Sequence, residues 1–132
     1  NLQMKKFIHE FDQNIIVKQF SSIIDDIHEC DIMINVFTEI YGSTVMLEGL
    51  IMKKPILNIS LDTRSYKFEF EKDNAVLGIS YDNDIDVNIK KIIQDENLRT
   101  TLIQNGTKHV SKYLTNPGNA SENLARILSS LE

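Results

Sequence analysis

A carboxylate inside an apolar helix raises a chemical question, and Glu48 raises it here. It sits within Val45-Met46-Leu47-Glu48-Gly49-Leu50-Ile51-Met52, five residues after Ser43. Burying such a group unpaired is costly, so it meets either a cation, for which Lys18, Lys53 and Arg64 are the candidates, or a ligand. Gly42 allows a backbone or a phosphate to approach closely, and Ser43 and Thr44 supply hydroxyls. The amides of the first helical turn, Ser43 to Val45, are suited to an anion such as a diphosphate. Glu48, about one turn further along, has two oxygens that can accept from a pair of vicinal sugar hydroxyls. A serine at a helix start is also a common cap, so Ser43 and Thr44 carry a second, purely structural reading.

Other chemistry is sparse. Arg64 and Lys67 lie in a charged loop and are either solvated or cations for a phosphate. Phe20 follows a short apolar run and either packs in the core or stacks on a nucleotide base. His9, His28 and His109 are far apart, have polar neighbours and share no metal-ligand spacing with Cys30, so they are expected to be solvated, with no metal and no cofactor. Cys30 reads as a small buried hydrophobe. The chain contains no G-x-G-x-x-G fingerprint, P-loop, G-x-S-x-G elbow or Cys–His signature, which sets aside a complete dinucleotide site, a P-loop NTPase and these hydrolase classes.

The 132 residues fit one domain, and 42% hydrophobic with 25% charged residues describe an ordinary globular chain. A net charge of -5 with mixed signs argues against nucleic acid as a partner. Val45 to Met52 falls far short of the roughly 20 apolar residues of a membrane span, which leaves peripheral association as the only membrane contact considered. The start, Asn1 to Lys6, leads into His9, Glu10 and Asp12 without an apolar core. With one cysteine, the expectation is a reduced, cytoplasmic compartment and no secretory signal.

The elements that must position these residues follow from periodicity. Leu2, Met4, Phe7, Ile8 and Phe11 recur at helical spacing and predict a surface helix over 1–12. Ile15-Ile16-Val17 predicts a first strand. Ser21 or Ser22 starts a helix carrying Ile23, Ile24, Ile27 and Cys30 inward, with Asp25 and Asp26 in its first turn. Asp31 to Val36 is nearly continuous apolar, the pattern of a parallel strand covered on both faces. Phe37 to Gly42 turns into a helix over about 43–53, apolar almost all round, and Pro55 leads into the strand Ile56 to Ile59. Leu61 to Asn74 is a long charged loop bearing Tyr66, Phe68 and Phe70. Ala75 to Ser80 gives a fourth strand. Helices follow from the cap Asp82-Asn83-Asp84, from Glu96 to Tyr113, and over Ala120 to Leu131, the last presenting Leu124, Ile127, Leu128 and Leu131 to a core. The expected fold class is α/β: a Rossmann-like parallel sheet of about four strands with flanking helices, the C-terminal helices packing around it.

Three segments together resemble the donor-binding C-terminal half of GT-B-fold glycosyltransferases of the surface-polysaccharide type. They are Cys30 to Ile34, Gly42-Ser43-Thr44-Val45-Met46-Leu47-Glu48-Gly49-Leu50, and Lys54-Pro55-Ile56-Leu57-Asn58-Ile59. The likeness runs from about residue 14 to the end, through Asp95-Glu96-Asn97-Leu98-Arg99 and Ala120-Ser121-Glu122-Asn123-Leu124-Ala125-Arg126-Ile127. It implies Ser43 and Thr44 on the donor diphosphate, Glu48 on the ribose, and a role in polysaccharide or glycoconjugate synthesis. Gly49 replaces the usual Ala, and Met52-Lys53 stands where a Gly often precedes Lys-Pro. Glu39 resembles the first acid of the two-glutamate motif of retaining families but lies nine positions before Glu48 instead of eight. The resemblance also implies that residues 1–132 are one nucleotide-sugar-binding domain of a two-domain enzyme whose N-terminal acceptor domain lies elsewhere. This chain alone would then bind donor weakly and turn nothing over. The competing expectations are a nucleotide-sugar epimerase of the same fold, whose Asp-Ser-Gly-Gly run and paired Glu are missing, and a noncatalytic interaction domain. An exposed sheet edge would invite a homodimer.

Overall fold

Three short, largely apolar runs separated by helical segments give an α/β chain. In the computed structural model, which describes residues 2–18, 22–37, 44–61, 67–114 and 118–130, these runs are β1 (Met33–Phe37), β2 (Ile56–Ser60) and β3 (Leu77–Ser80). They form one parallel sheet in the order β1-β2-β3, with Met33 opposite Ile56 and Leu57 opposite Leu77. The helices are α1 (Leu2–Phe11), α2 (Ile23–Glu29), α3 (Thr44–Ile51), α4 (Glu69–Lys72), α5 (Ile85–Gln94), α6 (Glu96–Tyr113) and α7 (Ala120–Ser129).

Alternation along the strands divides the core in two. On one face Ile56 packs with Met46 and Leu50 of α3 and with Ala75 and Val76, joined by Met33, Phe70 and Val110. On the other, Leu57, Ile59 and Ile79 pack with Ile92 of α5 and Leu102 of α6. The long helix α6 therefore serves both faces. Gly106 lets it approach α3, because a Cβ there would lie 2.9 Å from Leu50 Cδ2.

Local chemistry sets the helix limits. Asp84 accepts from Val87 N at 3.0 Å to start α5, and Asp95 accepts from Leu98 N at 2.9 Å to start α6. Carbonyls at the C-terminal ends of α2 and α5 are taken by cations. Lys54 Nζ donates to His28 O and Cys30 O, both at 2.8 Å, and Arg99 Nη1 donates to Ile92 O and Ile93 O. The α3 C-terminus closes through Lys53 N to Leu50 O at 3.1 Å and Lys54 N to Gly49 O at 2.9 Å, which places Lys53 at φ 57°. A side chain in that left-handed region costs about 1 kcal/mol. Lys53→Gly is therefore expected to raise the unfolding free energy by about 0.5–1 kcal/mol in urea denaturation; a loss would mean that the Lys53 side chain contributes more than its backbone strain removes.

Several expectations are corrected. Ile15-Ile16-Val17 belongs to no strand among the described residues, and Ile16 is 80% exposed. β-branched residues favour a strand only where a neighbouring strand completes its hydrogen bonds. Among the described residues the sheet therefore has three strands. The strand β1 is covered on one face only: Ile34 and Val36 are 47% and 53% exposed, because α5 and α6 lie under β2 and β3. Ile23 and Ile24 are exposed, while Ile27 is the buried residue of α2. Leu124, Ile127 and Leu128 form an apolar stripe on α7 yet are 56–58% exposed and do not face a core. Leu131 lies outside the described residues. No helix among the described residues is long and apolar enough to cross a membrane.

Candidate functional site

The direction of α3 places the chemistry. A Cβ at Gly49, near the helix C-terminus, would lie 2.7 Å from Met33 Sδ and 3.0 Å from Ile56 Cδ1, at the first residues of β1 and β2. The helix therefore runs antiparallel to the strands, and its first turn lies at their carboxyl ends, where ligands of open parallel sheets bind. Thr44 and Glu48, four residues apart, share one side of it. Thr44 is exposed, whereas Met46, Gly49 and Leu50 on the inward side are buried.

Glu48 is partly buried, and its Oε2 is shielded from solvent without a hydrogen-bond partner among the described residues. Of the cations weighed as partners, Lys18 is engaged by Asp26, and Lys53 makes no ion pair among the described residues. Arg64 lies outside them, as do Gly42, Ser43, Phe20 and Glu39. Lys67 is exposed and lines a concavity of about 300 Å³ beside β3 with Glu71, Asn74, Gly78 and Asn83, rather than standing among residues that flank Glu48.

A second polar cluster escaped the sequence reading. Asn58, fully buried in the central strand, donates from Nδ2 to Glu71 Oε1 at 3.0 Å, and its Oδ1 accepts from Asn35 Nδ2 at 2.9 Å. The carboxylate of Glu71, itself buried, reaches back to accept from Phe68 N at 2.9 Å and so starts α4. Gly78 makes room for it, since a Cβ there would stand 2.5 Å from Glu71 Oε1. The only sequence signals for this ladder are one Asn within each of two apolar strands, Asn35 in β1 and Asn58 in β2, and one Glu among loop aromatics.

The third cluster corrects the expectation that His109 is solvated. His109 is buried, with Nδ1 2.7 Å from Asp73 Oδ2, while Lys112 Nζ donates to both Asp73 oxygens at 2.8 and 2.7 Å. His9 and His28 are exposed as expected, and Cys30 is half-buried, its Sγ donating to Ile27 O. The hydrogen bond from Lys112, and then that from His109, hold the Asp73 carboxyl below the usual carboxylate range. A depressed folded-state value contributes stability above the unfolded value of about 4 and loses it as pH falls through the folded one. Acid titration of stability should accordingly lose part of its slope below about pH 4 in Asp73→Asn; an unchanged slope would remove Asp73 from the acid response. Among the described residues, no group of three or more His, Cys, Asp and Glu side chains could hold a metal.

This geometry leaves an anion-compatible helix start at the carboxyl edge of a parallel sheet, with a half-buried carboxylate one turn further into the helix. No family model, curated protein or solved structure matches the chain.

Proposed function

We propose that residues 1–132 form the donor-binding half of a glycosyltransferase, holding a nucleotide-diphosphate sugar for surface-polysaccharide or glycoconjugate synthesis. The observation that carries the reading is Glu48 Oε2, desolvated and without a partner among the described residues, one turn beyond the start of α3. A ligand with paired hydroxyls would satisfy that oxygen, and a carboxylate has the acceptor capacity to take both. Thr44 on the same side of the helix, with Gly42 and Ser43 before it, would meet the diphosphate, where the helix dipole stabilises negative charge.

Further strands beyond the edge of β1 that no described strand pairs, and helices over its exposed face, would give the full Rossmann-like sheet of four or more strands. An acceptor hydroxyl, presented by a second domain, would attack the anomeric carbon while Arg64 or Lys67 and the helix start stabilise the leaving diphosphate.

Titration calorimetry with UDP-, GDP- and CDP-sugars tests it. Binding of at least one, lost in Glu48→Ala with little change in the unfolding midpoint, is the expected result. Equal affinity in Glu48→Ala would remove Glu48 from the site, and no binding by folded protein would favour a noncatalytic interaction domain.

A further inference from the structure

The ladder across the sheet has a built-in polarity. A carboxylate only accepts hydrogen bonds, and both Glu71 oxygens face donors: Phe68 N on Oε2 and Asn58 Nδ2 on Oε1. The amide of Asn58 must therefore turn its NH2 toward Glu71 and its Oδ1 toward Asn35. Reversing it would set oxygen against the buried Glu71 carboxylate, where Asn58, itself fully buried, has no solvent to turn to. The Asn35 amide must in turn give its NH2 to Asn58, which directs its own Oδ1 away from the central strand.

The location of Asn35 gives this orientation a use. Met33 lies against the C-terminal half of α3, and Asn35, two residues along β1 and on the same face, advances about 7 Å toward the carboxyl edge. Since α3 runs the other way at 1.5 Å per residue, Asn35 lies at the level of its first turn. It is partly exposed there.

We infer that Glu71 is a positioning residue: through Asn58 it fixes the amide of Asn35 so that Asn35 Oδ1 stands as a hydrogen-bond acceptor for a hydroxyl of a sugar bound at the start of α3. The ligand clause rests on the nucleotide-sugar reading; the orientation of the amide does not.

The two parts are tested separately. In 15N-labelled full chain without ligand, the Asn35 side-chain amide signal, assigned by its loss in Asn35→Ser, should split or broaden in Glu71→Gln, because a glutamine amide presents either a donor or an acceptor to Asn58. The same signal should move in Gly78→Ala, whose added Cβ would displace Glu71 Oε1 from its 2.5 Å approach at an exposed edge position. An Asn35 signal that stays single and unmoved in either folded variant overturns the relay, and Gly78→Ala decides the matter should Glu71→Gln not fold. In calorimetry with the three nucleotide sugars, Asn35→Leu and Glu71→Gln should each weaken binding about fivefold, with the double variant no weaker than either. Additive losses overturn the relay, and undiminished affinity in Asn35→Leu overturns the hydroxyl contact. Absence of binding by the parent chain sinks the ligand clause together with the nucleotide-sugar reading, while the amide signals still decide the orientation.

Discussion

Glu48→Met is expected to raise the unfolding free energy by about 1 kcal/mol or more while abolishing nucleotide-sugar binding, two changes that a purely structural carboxylate would not show together. Its Oε2 is withdrawn from water without a partner among the described residues, and leaving a buried acceptor unsatisfied costs free energy that a methionine of similar length avoids. A site kept for a ligand tolerates such a cost in the empty protein and recovers it on binding. Urea denaturation and calorimetry on the same two proteins read both quantities. A destabilised Glu48→Met would instead place a cation on the carboxylate, and Arg64, outside the described residues, is the one to remove next.

The second large effect belongs to Asn58. Asn58→Leu should lower the unfolding free energy by about 3 kcal/mol, since one substitution strips a hydrogen bond from the buried Glu71 carboxylate and another from Asn35. Ordinary core truncation would cost a similar amount, so the diagnostic measurement is the cycle with Glu71→Met. Once the carboxylate is gone, Asn58→Leu has less left to break. A coupling of at least about 1 kcal/mol is expected; additivity would mean that the two side chains touch without depending on each other.

What could be read from the chain divides along the range of the interactions involved. Asp84 and Asp95 announce α5 and α6 because a cap and the amide it accepts from are three residues apart. Leu57 and Ile79 are recognisable as sheet residues because a largely apolar run at strand length has few other uses. Glu48 could be singled out because a charge among Val, Met, Leu and Ile is anomalous wherever the helix packs. Ile15-Ile16-Val17 misled because a strand is defined by its neighbour, which composition does not show. The periodicity of Leu124, Ile127 and Leu128 identified the apolar side of α7 correctly but could not show what, if anything, covers it. His109 sits beside Lys108 and looked solvated, yet its partner Asp73 is 36 residues away. The Asn35–Asn58–Glu71 ladder escaped for the same reason, spanning 23 and 13 residues.

The register of the sheet bears on how the chain finds its fold. Met33 pairs with Ile56 and Leu57 with Leu77, separations of 56 − 33 = 23 and 77 − 57 = 20 residues. Closing two loops of nearly equal length costs nearly the same entropy, and neither pairing has to wait for the other. The central strand β2 is the partner common to both, so the sheet can grow from it toward either edge. Substitutions in β2 should accordingly slow refolding, while those on the exposed stripe of α7 should leave the refolding rate unchanged.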